Sequence, residues 1–444
     1  MSKLLTPDDA AKLLSWYRKN KRCLPWRDTN NPEDVWISEI MLQQTRVEAV
    51  KAYFVRFRTA LPTVSSIASC EDDRLMKLWE GLGYYSRAKN LKKCAQVLQE
   101  RYNGTLPSDP EKLKQLPGIG SYTAGAIASI AYNVPVPAVD GNVLRVFARL
   151  TGNDSDITLT KTKQHVTEML QTLLWDCSAA AWSHTGGTRS FFSTSDFNQA
   201  LMELGAVVCI PNGAALCTRC PLSDCCEARK TGQVERLPIR SPKKKRKIEP
   251  RTLLIIRDGE RFLFQKRPSK GLLAGLYEFP GLPGTLDEES ALQGAKQLGF
   301  TPLRIRPLPG GIHVFTHMEW HMTAWEIQVA EFPAESLVSE ASPTSASDAL
   351  LPQPASDALL PRPASDTLPP RPASDTLPPR PASDTLPPQP ASDTLPPQPA
   401  SPGSPDSPAG VRSGSRILIR KEELSHVAVP AAFRTWIQWY ALNA

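Results

Sequence analysis

Apolar residues recur three and four apart from residue 6 to about residue 230, the spacing that lays one stripe along an α-helix. The first helix is announced by Thr6 at the N-cap, Pro7 at the first helical position, and Asp8 and Asp9 in the first turn, ahead of Leu13, Leu14 and Tyr17. The same period runs through 36–53, 73–82, 87–102, 110–116, 121–132, 142–150 and 197–208, with Gly or Pro between many of these stretches. At Thr252 the period shortens: TLLIIRDGERFLFQKRP predicts two short strands about the turn Asp258-Gly259. Farther on, RILIRKEELSHVAVPAAFRTWIQWYAL predicts another strand and a helix. Between them, Ser-Asp pairs at Asp348, Asp357, Asp366, Asp375, Asp384 and Asp393 recur every nine residues among Pro, Ala and Leu. Such a chain is short of donors and cannot build a core, so a disordered stretch is expected over about 335–412.

The pattern predicts a multidomain chain: an all-α domain over 1–233, a basic linker over 234–251, and an α+β domain over 252–444 that the repeat interrupts. Composition adds little until charge and cysteine are considered. The 52 basic and 45 acidic residues leave a net charge of +7, which permits a polyanionic partner without requiring one. No run of about 18 apolar residues is present, and MSKLLTPDD has neither an apolar signal core nor an Arg-rich leader, so an intracellular protein without a membrane role is expected. Pro242 followed by five consecutive Lys or Arg reads as a solvated linker or, preferably, as a nuclear import signal.

All nine cysteines precede residue 227, and five fall within 209–226. In a reducing compartment that clustering points to metal rather than disulfides. Cys209, Cys217 and Cys220 are followed by Cys225 and Cys226. Four such thiolates hold zinc or an iron–sulfur cluster, and spacing alone leaves both open.

Two further stretches carry candidate chemistry. LPGIG, Leu116 to Gly120, sets two glycines at a helix start, where backbone N–H groups can meet a phosphate; Asp140 follows an extended run and caps the next helix. Glu39 lies in WISEIMLQQ among apolar neighbours, where low dielectric favours a neutral carboxyl; a solvated position beside Ser38 and Gln43 is the plain alternative.

SEIMLQQT (38–45), WEGLGYYSRAKNL (79–91), LPGIG (116–120), VDGNVLRV (139–146) and DFNQALMELGA (196–206) together resemble the adenine DNA glycosylases of the MutY family, in the helix-hairpin-helix base-excision repair superfamily. The resemblance covers most of 6–230 and resumes near 252–330. It implies double-stranded DNA containing adenine mispaired with 8-oxoguanine as substrate, the adenine being extruded from the stack. By the same resemblance Glu39 protonates adenine N7 and later helps water attack, while Asp140 stabilises the oxocarbenium-like sugar or bonds to it transiently. Asn142 orients Asp140. Relatives that also cut the strand carry a lysine where this chain has Tyr122; a phenol forms no imine, so a monofunctional enzyme is expected.

The resemblance also implies that Gln43, Gln44 and Tyr84 fill the gap in the duplex or stack on the lesion, and that Gly118 and Gly120 grip phosphate. Arg22, Leu24, Trp26, Val47 and Glu203 would wall the adenine pocket, with ordinary core packing as the alternative for Trp26 and Val47. The family's Cys-x6-Cys-x2-Cys-x5-Cys pattern implies a 4Fe-4S cluster on Cys209, Cys217, Cys220 and Cys226. The first gap is one residue longer here, and Cys225 is a spare thiol or an alternative ligand. A structural cluster is expected, its loop offering Arg219, Arg229 and Lys230 to phosphates.

DCSAAAWSHTGGTRSFFSTS, residues 176–195, matches no family motif, and neither Cys177 nor His184 is given a function. GLLAGLYEFPG resembles the Nudix-like domain of the same glycosylases, but 282–300 lacks the arrangement of an Arg-Glu and paired glutamates on a helix that holds magnesium, so no diphosphate hydrolysis is expected. Phe315, Thr316 and His317 match the family's Phe-Ser-His element that reads 8-oxoguanine; the plain reading is an amphipathic strand from Val314 to Trp325. A monomer is expected, and no repair or replication protein is identifiable as a partner. The alternatives are a bifunctional endonuclease III-like glycosylase/lyase and a catalytically inactive lesion-recognition scaffold.

Overall fold

A computed structural model describes residues 5–27, 29, 31–183, 192–211, 213–242, 245–332, 415–424 and 427–442. The nine-residue repeat, residues 184–191 and Lys243 and Lys244 of the basic run lie outside the described residues. The chain begins with helices α1 (Pro7–Asn20), α2 (Pro32–Leu42), α3 (Val47–Ala60), α4 (Val64–Ser69), α5 (Asp72–Trp79), α6 (Ser86–Tyr102), α7 (Pro110–Lys114), α8 (Ser121–Tyr132), α9 (Gly141–Thr151), α10 (Thr160–Ser183), α11 (Thr194–Val207) and α12 (Glu227–Lys230). Thr6 caps α1 as expected: its hydroxyl accepts from the Asp9 amide at 3.2 Å while Asp9 accepts from the Thr6 amide at 3.0 Å, a box worth about 1 kcal/mol.

The helix expected over 36–53 is two helices. It breaks after Leu42 because Gln44 takes a left-handed conformation (φ 59°) and the free carbonyls at the end of α2 turn to the buried guanidinium of Arg87. No local sequence signal marks that break, since the apolar period continues across it.

The helices enclose two cores. One gathers α2 to α8 around Trp36, Phe57, Trp79, Leu91 and Ile127. The other joins α1 to α9, α10 and α11 through Leu13, Tyr17, Phe147, Leu170 and Phe197. The small residues of α8, Ala124 to Ser129, are buried between neighbours. Gly125 is obligatory there, because a Cβ would stand 2.4 Å from the carbonyl oxygen of Pro137. That close approach seats the extended run 134–139 against α8 and delivers Asp140 to the start of α9. The buried Asn198 fastens the same run, donating to the Val136 carbonyl at 2.9 Å and accepting from the Ala138 amide at 3.2 Å.

The basic stretch is in part fastened down. Leu237 is buried, its carbonyl accepts from Arg149 at 2.9 Å, and the Ser241 amide donates to Asp156 at 2.9 Å. The next element, β1 (Lys247–Asp258), starts inside the stretch read as linker because Lys247 onward pairs in parallel with a later strand. It is followed by β2 (Arg261–Lys266), β3 (Tyr277–Glu278), β4 (Gly281–Pro283), α13 (Glu288–Gln297), β5 (Pro302–Val314), β6 (Met318–Val329), β7 (Arg416–Arg420) and α14 (Arg434–Leu442). The sheet runs β3-β2-β1-β6-β5, with β4 on β1 and β7 on β2; β1 and β6 are parallel and the other pairs antiparallel. The expected hairpin forms, with Asp258 opposite Arg261, so its two-residue loop is Gly259-Glu260 rather than Asp258-Gly259. Helix α13 covers one face near Leu254 and Leu282, and Phe433, Trp436 and Tyr440 pack on the other. The strand expected from Val314 to Trp325 is a hairpin whose tip is Phe315-Thr316-His317, closed by the Phe315 amide on the Met318 carbonyl at 2.9 Å. Among the described residues no helix is long and apolar enough to cross a membrane.

Candidate active site

Glu39 lies on α2, 8% exposed, facing α8. The Tyr122 hydroxyl, from the first turn of α8, donates to its Oε2 at 2.6 Å. Burial pushes the Glu39 carboxyl up to about 7; the Tyr122 hydrogen bond pulls against this and the Asp140 charge adds to it. Burial, then the two carboxylates, hold the Tyr122 phenol well above its usual range, so it stays protonated.

Asp140 is the N-cap of α9, as its sequence position suggested. Its Oδ1 accepts from the Val143 amide at 2.7 Å and its Oδ2 from Asn142 Nδ2 at 2.7 Å. Burial raises its pKa from the usual value, opposed by these two donors. The N-terminal end of α9 favours the anion as well. Asn142 is itself held: its Oδ1 accepts from Arg145 Nη2 at 2.8 Å, and Arg145 also donates to the carbonyls of Gly205 (2.7 Å) and Cys209 (2.8 Å). Gly205 lets α11 come close, since a Cβ there would stand 2.6 Å from the Asn142 Cβ.

Glu203, fully buried on α11, accepts from Arg22 N, Nε and Nη2 at 3.1, 2.7 and 2.9 Å and from Arg27 Nη2 at 2.7 Å. Burial opposes its ionisation, but these donors outweigh it and hold the carboxyl down at about 2. Arg22 and Glu203 are thus brought together. Leu24 and Trp26 are buried in the first core with Val47 against them, Trp26 edge-on to Phe54, so the core reading of Trp26 and Val47 holds whatever else they line.

Gln43 and Gln44 form the turn after α2, and Gln43 Nε2 reaches Thr123 of α8 at 3.4 Å. Tyr84 is 43% exposed, and its hydroxyl meets that of Thr316 at the β5–β6 hairpin tip. Two motifs 232 residues apart, one helical and one from the sheet, therefore share a surface. Phe315 is stacked edge-on between His313 and Trp320, and His317 is exposed. At the other turn, Gly118 needs its positive φ of 80° and has no room for a Cβ beside Asn90, whereas Gly120 caps α8 with open space at its Cα.

Cys209, Cys217, Cys220 and Cys226 line one cavity with Val146, Leu204 and Arg149, and Cys225 is not in its wall. Arg149 Nη1 lies 3.2 Å from Cys209 Sγ. Burial, with the neighbouring thiols adding to it, pushes the Cys220 thiol up to about 12. Among the described residues no three His, Cys, Asp or Glu side chains stand in a compact group for a single metal ion. Four thiols around one cavity are the donor set that an iron–sulfur cluster or a zinc ion takes.

Sequence reasoning passed over Arg27, Arg87, Arg145 and Arg149. A signal existed for the last two: they interrupt the apolar run VLRVFARL and are buried in α9. Arg27 and Arg87 carry none.

Residues 37–172 match the HhH-GPD superfamily of base excision DNA repair proteins and 251–360 match the NUDIX domain. The chain is 34% identical over 384 residues to the adenine DNA glycosylase of Mus musculus, covering 73% of this chain and 72% of that one. Human adenine DNA glycosylase is 34% identical over 367 residues (69% and 64% covered), and that of Schizosaccharomyces pombe 34% over 328 residues (60% and 68%). Among solved structures, a thermostable thymine-DNA glycosylase is 26% identical with a TM-score of 0.42, covering 50% of this chain and 95% of that one. With such identity spread over both its helical and its Nudix-like parts, the chain belongs to the adenine DNA glycosylases of the helix-hairpin-helix base-excision repair superfamily.

Proposed function

We propose that this glycosylase removes adenine mispaired with 8-oxoguanine from double-stranded DNA by hydrolysing the N-glycosyl bond, and leaves the strand uncut. The observation that carries the reading is the pairing of a carboxyl with a pKa of about 7, Glu39, with a carboxylate capped by two donors, Asp140. Glu39 is poised to give up a proton near neutral pH, while the two donors and the start of α9 favour the anion of Asp140 against its burial, the division of labour that glycoside cleavage needs. Glu39 gives its proton to the adenine, which turns the base into a leaving group. Asp140 meets the positive charge that grows on the sugar, and Asn142 fixes its orientation. Tyr122 keeps its proton and has no amine, so no Schiff base forms with the opened sugar.

Glu203, held ionised, can accept from an exocyclic amine once Arg22 gives way, and the Arg22–Glu203 pair supports the assignment of this wall to the adenine pocket. Gly118 and Gly120 grip phosphate; Gln43, Gln44 and Tyr84 enter the duplex; Phe315, Thr316 and His317 read the lesion. The Tyr84–Thr316 contact supports the last two roles by placing them side by side. Cys209, Cys217, Cys220 and Cys226 hold a 4Fe-4S cluster, which when bound supplies a covalent cross-link that orders its loop. Arg219, Arg229 and Lys230 of that loop are exposed, Arg229 in a surface ion pair with Asp224 at 3.7 Å, and can meet the backbone. The basic run ending at Lys247 directs the protein to the nucleus.

The test is incubation of the cluster-loaded chain with a duplex carrying A:8-oxoguanine, with and without alkali. Strand breaks only after alkali are expected; breaks without alkali would mean a lyase, and none in either condition would mean a binding scaffold. Asp140→Asn should keep duplex affinity and lose most excision.

A further inference from the structure

Arg87, in the first turn of α6, is 7% exposed, and no ion pair to it is present among the described residues. Its Nη1 donates to the carbonyls of Ile40 (2.8 Å), Met41 (2.8 Å) and Gln43 (2.7 Å). Its Nη2 donates to the carbonyls of Leu82 (3.0 Å) and Gly83 (3.1 Å) and to the Thr45 hydroxyl (3.2 Å). The guanidinium also lies over the rings of Trp79 and Tyr84, at 5.4 and 5.6 Å.

These acceptors belong to two turns from different parts of the chain. Ile40 and Met41 are orphan carbonyls at the end of α2, where a cation meets the negative end of the helix dipole. Leu82 and Gly83 close the turn before α6. Each turn holds one non-glycine residue in the left-handed region, Gln44 at φ 59° and Tyr84 at φ 47°, and both are exposed. L-residues keep that conformation only where the surroundings enforce it. One flat guanidinium with a fork of donors ties both turns; a lysine ammonium, a single point of charge, cannot span them.

We propose that Arg87 is the positioning residue of a two-part wedge, Gln44 and Tyr84, and sets their separation for opening a duplex. The proposal rests on the glycosylase reading above. Arg87 touches no DNA; it acts through the two turns. A purely structural arginine would lower the amount of active protein for every substrate alike. A positioning arginine affects only substrates whose base must still be extruded.

The experiment compares the full cluster-loaded chain with Arg87→Lys and Arg87→Gln, counting active molecules by the amplitude of a single-turnover burst. Two substrates are used: a duplex with A:8-oxoguanine, and the same strand with the adenine in an unpaired bulge. Duplex excision should fall tenfold or more while bulge excision stays within twofold. In the Asp140→Asn background, 2-aminopurine at the target position should brighten on binding the parent and stay quenched with the Arg87 variants at saturation. In a Gln44→Ala, Tyr84→Ala background, Arg87→Lys should add no further loss. An equal fall on both substrates, full brightening, or an additive loss overturns the proposal. If Arg87→Gln does not fold, Arg87→Lys carries all three readouts. Absence of excision by the parent from either substrate would instead overturn the glycosylase reading, and the 2-aminopurine signal would still report on Arg87.

Discussion

The hydroxyl of Tyr122 sits 2.6 Å from Oε2 of Glu39 and donates to it, in a site where Glu39 is buried and Tyr122 half-buried. A donor stabilises the ionised carboxylate, so Tyr122 holds the pKa of Glu39 below the level that burial alone would set. In Tyr122→Phe that restraint is lost and the pKa rises above about 7. The basic limb of the single-turnover pH profile should move to higher pH. Excision at pH 7 should fall roughly tenfold, about 1.4 kcal/mol of barrier, through loss of the orienting bond. An unmoved basic limb would detach Glu39 from that titration.

The same raised pKa has a cost in stability with a definite sign. Folded Glu39 binds its proton more tightly than the unfolded chain does, so its favourable contribution is full below the unfolded value near 4.5 and is lost as pH rises through about 7. Glu39→Gln does not titrate and can still accept from Tyr122. Its stability relative to the parent should therefore grow by up to about 3 kcal/mol between pH 4 and pH 8. Denaturant melts at both pH values measure this, and a constant difference would contradict it.

Two glycines should behave oppositely. Gly205→Ala forces a methyl against Asn142 at 2.6 Å, which should lower stability by about 2 kcal/mol and depress excision by displacing the partner of Asp140. Gly120→Ala meets nothing within 4 Å and its φ is ordinary, so stability should change by less than about 0.5 kcal/mol. On the proposed phosphate grip its methyl would nonetheless crowd the phosphate, and duplex affinity should weaken with excision of bound substrate unchanged. Thermal melts and single-turnover titrations separate the two.

Cys225 and Cys226 are adjacent, yet only Cys226 lines the four-thiol cavity. Cys226→Ser should lose iron and visible absorbance, whereas Cys225→Ser should keep both. Iron analysis of the purified variants decides, and the reverse result would exchange their roles.

Much of this was legible in the residues because local rules agreed with the fold. Thr6-Pro7-Asp8-Asp9 reads as a capped helix start, and Asp140 before GNVLRV reads as an N-cap; both are local chemistry. The break at Gln43–Arg46 was not legible, since it is imposed by Arg87 from 44 residues away. Nor was the hairpin at Phe315–His317: alternation of apolar and polar residues continues through the tip, and only the pairing of β5 with β6 reveals the reversal. The clamp on Glu203 was half visible. Arg22 was named with it, but Arg27 joins only because the chain after α1 turns back beneath α11.

Glu39 rides on a helix of one hydrophobic core and Asp140 on a helix of the other. The gap between the two carboxyls is thus set by how two oily bodies seat against each other, as the opening of a caliper is set by its jaws. Neither jaw has to loosen for the reading to change. A void cut deep inside either one, far from any substrate atom, costs stability and should also alter the gap, so chemistry is lost along with fold.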